Sequence, residues 1–209
     1  MNRNILVLIV LLSFPLVMNA QKRLDRSEKY IGASFGATAS LVGFSPSVDQ
    51  DYLLGYNGGL VYRYIADTYV GFQVELNYAQ QGWHELETDF SRKLSYIELP
   101  FLTHIYLGNK SRFIVNVGPQ IGYLINDEKF NQALGSNAEQ HVTQVQNTLD
   151  YGFALGTGFS FNVKKNVFQL EARAYYAMGD IYSNNKKDYF SRSNNMKLSV
   201  NLTWLLQVK

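Results

Sequence analysis

Hydrophobic and polar residues alternate along most of the chain, and the alternation is clearest over residues 94–108 (LSYIELPFLTHIYLG). Ile97, Leu99 and Phe101 occupy odd positions, whereas Glu98 and His104 occupy even positions. A period of two is typical of a β-strand with two different faces. At ~3.3 Å per residue, a strand of about 13 residues is long enough to cross a bilayer at a tilt.

The same alternation recurs along the chain and predicts eight strands in total. Their segments are 30–41, 53–65, 68–80, 94–108, 112–125, 149–163, 167–178 and 195–208. In each segment one set of alternate positions is large and apolar. The other set is rich in Gly, Ser, Asn and charged residues.

The connections between these segments alternate in length. The short ones are 66–67, 109–111 and 164–166, and the long ones are 42–52, 81–93, 126–148 and 179–194. Outer-membrane barrels have short periplasmic turns and longer loops on the outside. We therefore expect an all-β fold, namely an eight-stranded antiparallel up-and-down transmembrane β-barrel.

The bulky apolar set is expected to face lipid, because the interior of an eight-stranded barrel is just filled by side chains. The small residues of the polar set fit that interior, whereas the many Phe and Tyr residues of the apolar set do not. With the apolar set pointing inward, the chain would instead be a soluble periplasmic carrier resembling lipocalins. The sequence leaves this alternative open.

Six charged residues belong to the polar set and are expected to form a charge network in the lumen: Arg63, Glu75, Glu98, Glu171, Arg173 and Lys197. Since three are cations and three are anions, the set can neutralise itself. Unpaired charges in a low-dielectric interior cost several kcal/mol. We therefore expect salt bridges that plug the lumen as structural fill, and the alternative is a small pore.

The N-terminus has the pattern of a secretory signal peptide. Arg3 precedes the apolar run 5–17, and Ala20 offers a small residue at the cleavage point. We expect a cleaved signal peptide over 1–20, a periplasmic lead-in over 21–28 and one outer-membrane barrel domain over 29–209. The protein is thus expected in the cell outer membrane.

Composition and motifs limit the kinds of functional site that the chain is expected to hold. The chain has no cysteine and a net charge of +2, which leaves no thiolate metal site or disulfide and argues against a nucleic-acid binder. No linear motif of a nucleophile, metal site or cofactor site is present, so we expect no catalytic, metal or cofactor residues. The histidines are His84, His104 and His141. A lipid-acting enzyme that places a His and a Ser on the barrel rim therefore stays an alternative.

The expected role is a non-enzymatic scaffold or interaction protein. Outer-membrane lipid and lipopolysaccharide are the expected surroundings of a monomer, and a protein partner is expected at the polar loops 126–148 and 179–194.

Two short motifs carry a family resemblance: Tyr-Ile-Glu-Leu-Pro at 96–100 and Gly-Pro at 118–119. With the eight alternating segments, they make the chain resemble the PorT-type outer-membrane β-barrel family of Bacteroidetes over about residues 28–209. The resemblance implies an outer-membrane barrel of a Gram-negative bacterium. The founding member of that family is associated with a protein secretion system.

Overall fold

The computed structural model describes residues 23–87, 89–130, 144–182 and 191–208. The expected signal peptide and the first residues of the lead-in lie outside the described residues. Within the described part, no helix is long and apolar enough to cross a membrane.

The described chain consists of long antiparallel strands joined by turns. The strands are β1 (Arg23–Ser45), β2 (Gln50–Asp51), β3 (Leu53–Asp67), β4 (Val70–Glu85), β5 (Ser91–Gly108), β6 (Ser111–Phe130), β7 (Leu149–Val163), β8 (Asn166–Asp180) and β9 (Arg192–Gln207).

Eight of these strands close into a barrel. β1 pairs with both β3 and β9, each later strand pairs with its neighbour in sequence, and the β4–β5 pairing completes the ring. The two-residue β2 only extends the sheet beside the end of β4. The structure confirms the predicted all-β, eight-stranded antiparallel barrel.

The barrel has two unlike ends. The tight turns after β3, β5 and β7 lie at one end together with the start of β1 and the end of β9, and we call this the short-turn end. The connections after β1, β4, β6 and β8 lie at the opposite, long-loop end.

The alternating faces lie as the sequence predicts. The apolar set points outward, so that side chains such as Phe35, Leu60 and Leu202 are each 64% exposed. The polar set points inward, and Arg63, Glu75 and Asn116 are almost fully buried. An outer surface this apolar suits lipid and not water, which rules out the apolar-in carrier.

Aromatic residues gather near both ends of the outer surface. Near the short-turn end the rings of Tyr64 and Phe72 are 5.7 Å apart, and those of Phe113 and Phe159 are 5.6 Å apart. Near the long-loop end the rings of Tyr56 and Tyr78 are 5.8 Å apart. Such belts mark the two membrane–water interfaces of a transmembrane barrel.

The predicted strand ends are wrong at the long-loop end. β5 begins at Ser91 and β6 runs to Phe130, several residues beyond the predicted segments. The predicted 81–93 loop is mostly strand, because β4 and β5 stay paired from Val70 and Ile105 up to His84 and Ser91. These extensions carry polar residues on both faces, so the membrane alternation that marks a strand in the sequence is absent there.

Candidate functional site

The centre of the lumen is held together by Arg173, which binds two carboxylates at once. Its two terminal nitrogens donate to the carboxylate of Glu75 at 2.8 and 2.7 Å. Its Nε donates to Glu171 Oε1 at 2.9 Å. All three side chains are buried. Planar guanidinium groups favour this forked pairing with carboxylates.

Amide side chains connect Arg63 to the same layer. Arg63 donates from Nε to Gln73 Oε1 at 2.8 Å and also donates to Gln169. Gln73 in turn donates to Glu75, and Gln169 donates to Glu171 at 2.8 Å. The structure thus brings Arg63, Glu75, Glu171 and Arg173 of the six predicted residues into one layer, with two cations and two anions.

His104 belongs to the edge of this layer. Its Nδ1 lies 2.7 Å from Asn116 Oδ1, and Asn116 donates to Glu171 Oε2 at 2.9 Å. The imidazole stacks on the Tyr106 ring with centroids 5.7 Å apart. It is fully buried, and a histidine with no path to bulk solvent is poorly placed to work as a general base on an external substrate.

The other two predicted residues, Glu98 and Lys197, form a separate pair nearer the long-loop end. A third charged side chain, Asp150, lies beside them and is 6% exposed. Its Oδ2 accepts from Gln81 Nε2 and Asn195 Nδ2, each at 3.2 Å. Asp150 is missing from the predicted network, although the alternation of the sixth segment had placed it on the polar face.

Apolar clusters close the lumen at both ends. At the short-turn end the cluster consists of Tyr30, Val61, Ile65, Tyr106, Ile114, Val167 and Leu205. At the long-loop end it consists of Val42, Trp83, Phe90, Leu94, Tyr96, Ile181 and Tyr182. The polar layers therefore lie between two hydrophobic closures.

A buried arginine clasps the long-loop end. Arg92 donates from Nε and Nη2 to Asp127 at 2.8 and 2.6 Å, and from Nη1 to the Tyr182 hydroxyl at 2.7 Å. Its guanidinium also lies 5.8 Å from the centre of the Trp83 ring system. Burial raises the pKa of Tyr182 to about 12, so its hydroxyl keeps its proton at neutral pH. The sequence pattern predicts loops at Arg92 and Asp127, so it does not predict that the two side chains pair.

The rim carries one arrangement with the residue types of a hydrolase. His84 Nδ1 lies 2.8 Å from Ser91 Oγ, and His84 Nε2 lies 3.7 Å from Asp89 Oδ1. The distance to Asp89 exceeds a hydrogen bond. His141 lies outside the described residues. Among the described side chains, no three His, Cys, Asp or Glu residues converge on a metal site.

The two loops expected to bind a partner are only partly described. Residues 131–143 and 183–190 lie outside the described part of the chain. The described remainder packs against the barrel rim, where the backbone nitrogens of Gln146 and Asn147 donate to Ile181 O at 3.3 and 3.1 Å.

Comparison with known families gives a match. The model of the family described as outer membrane protein beta-barrel domain matches residues 19–183. A comparison with curated proteins gives no match.

Several solved structures are similar in fold. The crystal structure of Ail, the attachment invasion locus protein of Yersinia pestis, is 14% identical, and the match covers 86% of this chain and 99% of Ail with a TM-score of 0.45. OprG from Pseudomonas aeruginosa is 10% identical, with 87% and 93% covered and a TM-score of 0.49. Neisserial surface protein A is 12% identical, with 86% and 98% covered and a TM-score of 0.47. At such identities a likeness concerns the fold alone.

Proposed function

Since the chain belongs to the outer-membrane β-barrel domain family and resides in the outer membrane, we propose that it is a non-enzymatic, non-conducting scaffold that presents its long-loop end to a partner. The observation that carries this proposal is the filled lumen. Charged and amide side chains interlock at its centre, and an apolar cluster closes each end.

The filled lumen argues against a pore. Eight strands enclose an interior that side chains just fill. Moving Arg173 aside would leave Glu75 and Glu171 buried without their partner, which costs several kcal/mol. We infer that the six predicted charges act as structural fill.

The long-loop end is the surface that we assign to a partner. A transmembrane strand needs about 9–11 residues, whereas β5 has 18 and β6 has 20. The excess projects outward as a paired extension: β5 forms a hairpin with β4, β6 pairs alongside it, and Arg92 bonds β5 to Asp127 of β6. Leu86 at 53% and Phe130 at 42% exposure are apolar groups on this projection. A rigid platform with exposed apolar residues suits protein recognition.

Site-specific photo-crosslinking in living cells tests this assignment. We expect p-benzoylphenylalanine at Leu86 or Phe130 to give a protein adduct of defined size. The matched control is Phe159, an exposed aromatic on the lipid-facing barrel near the short-turn end, which should give none. Absence of adducts from both projecting positions, or an identical adduct from Phe159, would overturn the proposal.

A lipid-acting hydrolase is the second candidate, and the Ser91, His84 and Asp89 arrangement on the rim is the observation that favours it. Against it, the histidine–carboxylate distance is long and Asp89 is largely solvent-exposed. Ser91→Ala provides the test, because it removes the only hydroxyl that His84 contacts in the described part. We expect the cellular lipid profile to be unchanged. A changed acylation pattern in that variant would establish the hydrolase instead.

A finer family assignment is also proposed. The motifs at 96–100 and 118–119 support a relationship to the PorT-type barrels of Bacteroidetes. We further propose a monomer surrounded by outer-membrane lipid and lipopolysaccharide, with export directed by a signal peptide over 1–20.

A further inference from the structure

We propose that the lumen binds one monovalent alkali cation near the long-loop end, held by the Asp150 carboxylate and the side-chain oxygens of Gln81 and Asn195. This internal site is separate from the external surface proposed above.

The charge around Asp150 is unbalanced. Glu98 and Lys197 are the charged side chains that face Asp150 within the described residues, and Lys197 already pairs with Glu98. Two carboxylates therefore share one ammonium group, and one negative charge is left over. Burying an uncompensated charge is strongly unfavourable, so a single positive charge is the missing component.

Orphaned oxygens surround the same carboxylate. Gln81 Oε1, Asn195 Oδ1 and the Tyr175 hydroxyl are buried and have no hydrogen-bond partner within the described residues. Gln81 and Asn195 are 1% and 2% exposed. The amide nitrogen of each lies 3.2 Å from Asp150 Oδ2, so both amide groups adjoin the Asp150 carboxylate. Tyr175 also faces Asp150 and Glu98.

Gly122 provides room for a ligand. It lies in register with Glu98 on β5 and with Asp150 on β7. A methyl group added at Gly122 would come no closer than 3.4 Å to the neighbouring atoms, and Asp150 Cβ would be 3.6 Å away. The glycine thus leaves space for about one methyl group beside the side chains of Asp150 and Glu98.

A cation accounts for these observations together. Hard cations are bound by carboxylate and amide oxygens, and one monovalent ion balances one surplus carboxylate. A proton on Asp150 would restore the charge but would satisfy only one of the orphaned oxygens. A water molecule would satisfy oxygens but would leave the charge. One cation meets both requirements at once, and the refolding experiment separates it from a proton accompanied by a water molecule.

Refolding at constant ionic strength tests the site. The barrel is refolded from urea into bilayers at fixed pH, with chelator, while choline chloride is replaced stepwise by NaCl or KCl. Refolding is used because both ends of the lumen are closed. We expect the urea midpoint to rise with the alkali cation. Above the dissociation constant, each tenfold increase in its concentration should raise the folding equilibrium constant about tenfold.

Three variants make the result specific. Asp150→Asn should abolish the cation dependence. Gln81→Met, which keeps the charge and removes one oxygen, should raise the cation concentration at half-effect about tenfold, and it decides the question if Asp150→Asn does not fold. Asp51→Asn changes an exposed carboxylate on the rim and should keep the full dependence.

Two outcomes overturn the proposal. One is a urea midpoint of the parent that is the same in choline, sodium and potassium chloride. If, in addition, acid stabilises the parent but not Asp150→Asn, the site holds a proton instead. The other is an undiminished cation dependence in both Asp150→Asn and Gln81→Met.

Discussion

Arg173 shows at the scale of a single residue how the lumen depends on complete pairing. Its guanidinium satisfies Glu75 and Glu171 together, and amide groups of Gln73, Asn77 and Gln169 fill the remaining acceptor sites. Each member of this layer is buried, so the loss of one partner leaves charges that water does not reach.

Removing that guanidinium should therefore be costly. We expect Arg173→Met to lower the free energy of unfolding in bilayers by about 3–5 kcal/mol, because two carboxylates lose their partner. Urea titrations followed by gel mobility measure this. Lys165→Met, in an exposed turn, is the control and should stay within about 0.5 kcal/mol. Equal stability of Arg173→Met and the parent would show that the layer is not needed for folding.

Glycines on the inner face leave space for the charged side chains. A Cβ at Gly156 would lie 1.9 Å from Glu171 Oε1. We expect Gly156→Ala to destabilise the barrel by about 1–3 kcal/mol through overpacking. Gly43→Ala is the control, since a Cβ there would lie 3.5 Å from its nearest neighbour, and it should leave the urea midpoint nearly unchanged. If both variants unfolded alike, the crowding around Glu171 would not be the cause.

The sequence predicts which face a charged residue occupies but not its partner. The period of two is sufficient to place Arg63, Glu75 and Lys197 inside. The pairing of Arg173 with Glu75 joins strands β8 and β4, which are not neighbours in the barrel, and so depends on barrel geometry. Asp150 lies on the polar face of the sixth segment but outside the predicted set of six, whose charges balance without it.

At the scale of the strand, the alternation predicts the membrane-crossing part and fails beyond it. Lipid demands an apolar outer face only across the bilayer, so the pattern ends where the strand leaves the membrane. β4 and β5 continue as a hairpin up to His84 and Ser91 through hydrogen bonding with each other. The Arg92 clasp that fixes this hairpin joins residues from three segments that were predicted to be loops.

A charged residue on the outward apolar face should cost more folding free energy the deeper it lies in the bilayer. Leu170 on β8 is 48% exposed, faces outward and is paired with Leu202. We expect Leu170→Arg to cost about 2–4 kcal/mol of folding into bilayers. Val163→Arg, on the outer face at the end of β7, should cost about 0–1 kcal/mol. Equal costs at the two positions, measured by urea titration, would contradict the membrane placement of β8.

At the scale of the whole molecule, a closed barrel satisfies the backbone of every spanning strand, which an open sheet in lipid does not. The pairing of β4 with β5 provides that closure. Strand number and alternating connection lengths predicted the architecture, because both follow from crossing a bilayer eight times. The contents of the lumen did not follow from the same constraint, since many sets of polar side chains fill one interior.

Conductance in planar bilayers is the most direct test of the filled lumen. The folded parent should give no current steps above the lipid background at any applied voltage. Its insertion is verified on the same proteoliposomes by gel electrophoresis, in which a folded barrel gives a band whose mobility changes on boiling. A 16-stranded porin, measured in a separate bilayer, is the positive control. Reproducible single-channel steps from the parent would contradict the account, because they would require a continuous water path past Arg173 and both apolar closures.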